Sequence, residues 1–320
     1  MGNSGELLLA VERLVEQRNV LGAIEAAKRL LDSSDDEVDL VKCGKLLEKV
    51  QETNFAKQTY EKAVALSPEF SLAHSALGLL ALGEGDNEQA IAHFSEAVRL
   101  EPDDAGKLTL LGVAYIDSGK VEVGSDWLRR ALKLDPTYQE ANYNLGFALR
   151  DTDPRQAQLY FSKALEADPE CSLAHRELGW LLAKASPGPE AEYQLRRAIE
   201  LNPTDAWAHV YLGHYLWDQG EADAAVQEFR KGVVADAASA FPLRALAGVY
   251  EARQEWQQAE NLYERALKLE PDNIVVNMSL GRMMQKKGDR KLARIYLERA
   301  LFLDPEYDAA RDLLNQLFDR

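Results

Sequence analysis

Cysteine is scarce. Cys43 and Cys171 are the only two in 320 residues, too few for a disulfide framework and without the C-x-x-C spacing of a metal knuckle. They read as buried or incidental thiols of a reducing compartment. Long apolar runs are also missing, so no segment predicts a membrane span of about 18 residues or more. The opening MGNSGELLLAVERLVEQ lacks the cationic start and apolar run of a signal peptide. Glu6 stands where an N-myristoylation motif on Gly2 wants Ser or Thr. A cytoplasmic location without membrane insertion is therefore expected. Positive charge is in deficit, with 37 Lys and Arg against 53 Asp and Glu and a net charge of -16. Such a surface repels nucleic acid phosphates and anionic membranes, which argues against both as partners.

Catalytic signatures are wanting too. The chain has no HExxH, no GxSxG and no phosphate-binding glycine loop. It holds five histidines: His74, His93, His175, His209 and His214. His209 and His214 lie five apart, which is poor spacing for two ligands on one helix face. Carboxylates are plentiful, but they fall on solvated helix faces. No catalytic residue, metal or cofactor is assigned, and neither enzyme activity nor a small-molecule substrate is expected.

What the chain has is a period. Pro68, Pro102, Pro136, Pro169, Pro203, Pro271 and Pro305 recur at intervals of 34, 34, 33, 34, 68 and 34. The double interval hides one repeat in which Ala237 replaces the proline. Counting back gives eight repeats, starting at Glu37, Ser71, Ala105, Gln139, Ser172, Ala206, Ala240 and Ile274. Position eight is small: Gly44, Gly78, Gly112, Gly146, Gly179, Gly213, Ala247, Gly281. Position twenty-four is bulky: Tyr60, Phe94, Leu128, Phe161, Leu195, Phe229, Tyr263, Leu297. Position four holds His74, His175 and His209, which read as packing residues.

Each repeat reads as two amphipathic helices. Gly85, Gly119, Gly220 and Gly288 mark a left-handed cap after the first helix, and the proline closes the second. Small residues let the helices approach while bulky ones fill the crossing. One hairpin cannot bury its apolar face alone, so neighbours must stack. Pro154 should open a second helix in the short fourth repeat. The junction 233–242, lacking proline, either bends the array or extends a helix through Ala237. The acidic run DSSDDEVD reads as a joint.

This period, with its spaced Leu-Gly, Ala, Phe/Tyr, Ala and Pro, resembles the tetratricopeptide repeat family over residues 37–305. The resemblance implies an all-α, right-handed superhelical solenoid. Eight repeats would occupy 37–307, a degenerate repeat or cap 1–36, and a capping helix 308–320, where Leu313, Leu314, Leu317 and Phe318 are apolar. It implies a protein or peptide partner, gripped by positions 2, 5, 9, 12 and 13 of the first helices. Those positions supply a candidate groove of Leu79, Val113, Tyr143, Phe147, Arg150, Arg176, Trp180, Lys184, Trp207, His214, Trp217, Phe241 and Arg244.

Exposed aromatics would hold an apolar peptide or amphipathic helix, with Arg150, Arg176, Lys184 and Arg244 pairing with its acidic groups. Alternatively the aromatics pack between adjacent first helices, Trp207 and Phe241 most readily, or the groove holds the chain's own terminus or a second copy. Position nine reads Lys45, Leu79, Val113, Phe147, Trp180, His214, Gly248 and Arg282. It lacks the asparagines of the family's carboxylate-clamp members and of its glycosyltransferase relatives. Arg282, Lys286, Lys287, Arg290, Lys291 and Arg294 form either a basic docking patch or an ordinary solvated face. A scaffold or adaptor is the first expectation; a recognition or regulatory subunit wrapping a folded partner is the alternative.

Overall fold

The computed structural model describes residues 3–318, all of whose regular elements are α-helices. Gly2, and with it any myristoylation site, lies outside the described residues. The chain divides into two compact units, residues 1–169 and 170–320. The first holds the hairpins α1 (Asn3–Glu16)/α2 (Val20–Ser33), α3 (Glu37–Lys49)/α4 (Thr53–Leu66), α5 (Ser71–Gly83)/α6 (Asn87–Leu100), α7 (Ala105–Asp117)/α8 (Val121–Leu134) and α9 (Gln139–Leu149)/α10 (Pro154–Ala167). The second holds α11 (Ser172–Ala185)/α12 (Pro189–Leu201), α13 (Ala206–Asp218)/α14 (Ala222–Ala235), α15 (Ala240–Ala252)/α16 (Trp256–Leu269) and α17 (Ile274–Lys287)/α18 (Arg290–Leu303), then α19 (Asp308–Phe318). Residues 308–318 thus form the terminal helix. Leu313, Leu314 and Leu317 pack with Leu297, Ala300 and Ala310.

Position eight explains why each hairpin closes. A Cβ added to Gly44 would lie 2.2 Å from Tyr60 Cε1, and one on Gly78 2.6 Å from the Phe94 ring. In the second unit a Cβ on Gly281 would come within 2.6 Å of Leu297 Cγ. The glycine is a notch and the residue at position twenty-four fills it. Tyr60, Phe94, Phe161 and Phe229 are completely buried there.

Position four does more than pack. His74 Nε2 donates to the Pro68 carbonyl at 3.0 Å, and His209 Nε2 does the same to Pro203 at 3.1 Å. Asn142 reaches Pro136 with its side-chain amide at 3.0 Å. A buried polar residue thereby satisfies the proline carbonyl of the turn that precedes its own helix.

The loops follow from capping. Gly85, Gly119, Gly220 and Gly288 all have positive φ, 77° to 90°. Gln51 and Gln254 occupy the same point at φ 63° and 60°, where a side chain is strained. Pro154 opens α10, with Asp153 accepting from the Gln156 N–H. Ala237 does not extend its helix. α14 stops at Ala235, and Asp236 accepts from the Ala238 N–H in the same local turn that Asp135 and Asn202 make beside Pro136 and Pro203. Nor is the acidic run a joint. Asp36 caps α3 by accepting from the N–H groups of Val38 and Asp39, across a short connection with Ser34 buried.

Two substitutions should move stability in opposite directions. Gly44→Ala is expected to cost about 1–3 kcal/mol by overpacking against Tyr60. Gln254→Gly should gain up to about 1 kcal/mol by relieving the left-handed backbone. Thermal unfolding followed by circular dichroism checks both, and a midpoint raised by Gly44→Ala would contradict the notch.

Candidate partner-binding surface

In the first unit, Leu79 is 48% exposed and Phe147 40%, while Val113 and Tyr143 are half-buried. Tyr143 stacks near Phe147, with ring centroids 6.3 Å apart, and the Arg150 guanidinium lies 4.7 Å from the Phe147 ring.

In the second unit, a ladder of rings crosses three adjacent first helices. Trp180 on α11 stacks on Tyr211 of α13 with centroids 4.3 Å apart. Trp207 meets Tyr211 edge-on at 5.8 Å and stacks on Phe241 of α15 at 3.8 Å. Such pairs add about 0.5–1.5 kcal/mol each beyond their buried area. The rings do pack between helices, but Trp207 remains 44% exposed and presents an edge of the ladder to solvent. Lys184 lies 4.7 Å from the Trp180 ring, and Arg244 lies 5.6 Å from that of Phe241. Sequence reasoning missed Tyr211, which joins the two stacks. Its spacing of four from Trp207, one turn along the same helix, is the signal that points to it.

Arg176 is not available to a partner as expected. It bridges Glu177 and Asp205 at 2.8 Å each, with its side chain only 14% exposed. The expected basic patch also comes apart. Arg282 and Lys286 reach back to Glu251 on α15, at 3.3 Å and 2.9 Å. Lys287 pairs with Glu260 and Arg294 with Glu298. Only Arg290 and Lys291 of the six lack an ion pair among the described residues, both exposed on α18. Burial works against the Glu251 carboxylate. Lys286, Arg282 and the Tyr263 hydroxyl outweigh that and hold its pKa below the usual carboxylate range.

Two hollows of this unit are lined in part by cationic side chains. One, of about 620 Å³, is lined by Pro203, Arg230, Lys231 and Val234, and its cations already have partners: Arg230 donates to the Tyr250 hydroxyl and Lys231 pairs with Glu228. The other, of about 240 Å³, sits among His214, Trp217, Arg244, Gly248, Ser279 and Arg282. Trp217 packs partly against the core beside it. Its histidine stands edge-on to Phe229 at 5.0 Å. Burial, helped by Arg244 and Lys184 and opposed by Asp218, pushes the His214 pKa down to about 4. Among the described residues no group of side chains could hold a metal ion, and no helix is long and apolar enough to cross a membrane.

Comparison with known proteins follows this geometry. Two family models, both described as tetratricopeptide repeat, match the chain. One covers residues 44–105, 75–138, 147–206 and 188–240, and the other 251–317. The chain is 25% identical over 212 residues to human protein O-mannosyl-transferase TMTC1, covering 65% of this chain and 24% of that protein. It is 23% identical over 283 residues to human protein O-mannosyl-transferase TMTC3, covering 82% and 31%. It therefore spans less than a third of these relatives' length. Among solved structures, a tetratricopeptide repeat protein from Parabacteroides merdae superposes with a TM-score of 0.65 at 16% identity, over 78% of this chain and 98% of that one.

His214 supplies a pH test. Its folded pKa lies below the ordinary value of 6.5, so the unfolded chain binds the extra proton first. The stability contributed by the neutral ring is full above pH ~6.5 and falls as pH drops toward 4, by about 2 kcal/mol between pH 7 and 5. The imidazole carbon resonances should titrate near pH 4. A midpoint near 6.5 would mean that the ring is solvated.

Proposed function

The chain belongs to the tetratricopeptide repeat family, and from that premise we propose that it is a scaffold or adaptor. It would hold an apolar segment or amphipathic helix of a partner against the first-helix face of its second unit. The fold supports a protein-interaction role in general. The observation that carries the finer reading is Trp207, a large aromatic left 44% exposed within a ring ladder, between Tyr211 and Phe241. Its stacking on Phe241 and its edge contact with Tyr211 fix its position before anything binds. Rigid, exposed tryptophans are the residues from which binding hot spots are made. Lys184, held over Trp180, would supply a cation at the rim of the same face. In the first unit Phe147 on α9 and Leu79 on α5 are each exposed.

We also propose recognition in place of catalysis. The transferase names belong to relatives of which this chain covers only 24% and 31%. A reducing, cytoplasmic setting suits Cys43, a fully buried thiol whose pKa desolvation pushes up to about 12, far from the thiolate.

The test is capture of partners from source-cell lysate by wild-type protein, by Trp207→Ala and by Phe302→Ala. Phe302 is 75% exposed on the second helix α18 and serves as the control. The alanine at 207 should weaken capture at least tenfold, the scale of a hot spot of about 2 kcal/mol. The control should leave capture intact, and circular dichroism should show both variants folded. A partner retained by a folded Trp207→Ala variant would sink the reading. A partner lost with that variant, yet not displaced by any short segment of its own sequence, would favour a regulatory subunit wrapped around a folded protein.

A further inference from the structure

The hollow of about 240 Å³ has two features that the fold does not require. The first is Arg244. It is half-buried, and among the described residues no carboxylate pairs with it; around it stand the Phe241 ring, the Tyr263 and Tyr307 side chains, which favour its charge, His214, and a second guanidinium, Arg282. Burial, and then Arg282, lower its pKa. Arg282 and Lys286 in turn share the single buried carboxylate of Glu251. The carboxylate nearest at hand is thus already shared by two cations, and Arg244 has none of its own, on a chain whose net charge is -16. A cation drawn out of water without a counter-ion is unfavourable unless something completes it.

The second feature is Gly248, in the middle of α15. The other first-helix glycines of this unit are required by packing. A Cβ on Gly179, Gly213 or Gly281 would come within 2.9 Å of the paired helix. At Gly248 the nearest atom would be the Tyr263 hydroxyl oxygen, at 3.9 Å. A mid-helix glycine costs about 0.5–1 kcal/mol relative to alanine, and here no close approach offsets it. Its effect is to keep the hollow open beside Arg244, with the Trp217 ring and the Ser279 side chain completing the lining.

We propose that this hollow is a subsite for one acidic side chain, Asp or Glu, of the partner segment. The Arg244 guanidinium pairs with the incoming carboxylate, Arg282 adds its charge, and Gly248 makes the room. The inference rests on the reading that a partner segment binds the first-helix face of this unit. Glu251 stands behind the same wall, so a singly charged carboxylate suits the site better than a phosphate dianion.

The probe is a library of random dodecamer peptides displayed on phage with their C-termini fused, so that only side chains supply carboxylates. It is panned on the full chain, on Arg244→Gln and on Gly248→Met. Wild type should select a consensus with one near-constant Asp or Glu. A synthetic selected peptide should lose about tenfold in affinity when that residue becomes Gln or Asn. The same loss should appear with Arg244→Gln, and the two losses should not add. Gly248→Met, folded by circular dichroism, should select peptides without the acidic preference. Enriched peptides with no acidic consensus, or additive losses, would overturn the subsite and leave the scaffold reading standing. Displacement of the peptide by millimolar inorganic phosphate but not by acetate would also overturn it, in favour of phosphate groups. A failure to enrich any peptide would overturn both.

Discussion

The insertion of one bulky side chain into one glycine notch is the contact on which seven of the hairpins rest, with Ala247 taking the glycine's place in an eighth. Where the first helix carries glycine at position eight, the second can lie against its backbone and present Tyr60, Phe94 or Phe229 to the gap. Everything else is arranged around that crossing. The left-handed residue at position fifteen turns the chain back at the right distance. The side chain at position four ties the start of the first helix to the preceding proline carbonyl, as His74 and His209 do. Each hairpin leaves an apolar face that only the next can cover, which makes stacking a necessity.

Much of this was legible because it repeats. One Leu-Gly pair says little, but eight in register identify both helices, both turns and the closing residue. The sequence misled where a different residue did the same job. Asp236 bonds the Ala238 N–H as Asp135 and Asn202 bond theirs beside Pro136 and Pro203, so a junction without the proline still ends its helix in the ordinary register. The acidic run before α3 looked like a hinge, yet Asp36 is there to cap a helix.

The binding surface was less legible, because a repeat position shows which way a residue faces and not what meets it there. Arg176 and Lys184 occupy comparable positions. Arg176 is consumed by Glu177 and Asp205, while Lys184 keeps its charge at the surface over Trp180. The basic run of the last repeat is neutralised mainly by carboxylates from an earlier hairpin, Glu251 and Glu260. No reading of adjacent residues could pair them. Tyr211 escaped notice for the opposite reason: it is buried, and its role is to join Trp180 of α11 to the stack of Trp207 on Phe241.

Positions eight and nine are neighbours in the chain but answer to different demands. Position eight is glycine in seven of the eight repeats and alanine at Ala247, because the notch admits nothing larger. Position nine runs through Lys45, Leu79, Val113, Phe147, Trp180, His214, Gly248 and Arg282 without a repeated residue. Drift at one site costs the hairpin stability, while drift one residue later leaves the hairpin closed. An array built this way can acquire new recognition through single mutations without first accumulating spare stability. Duplicated hairpins then become raw material whose surfaces diversify while their joints stay interchangeable.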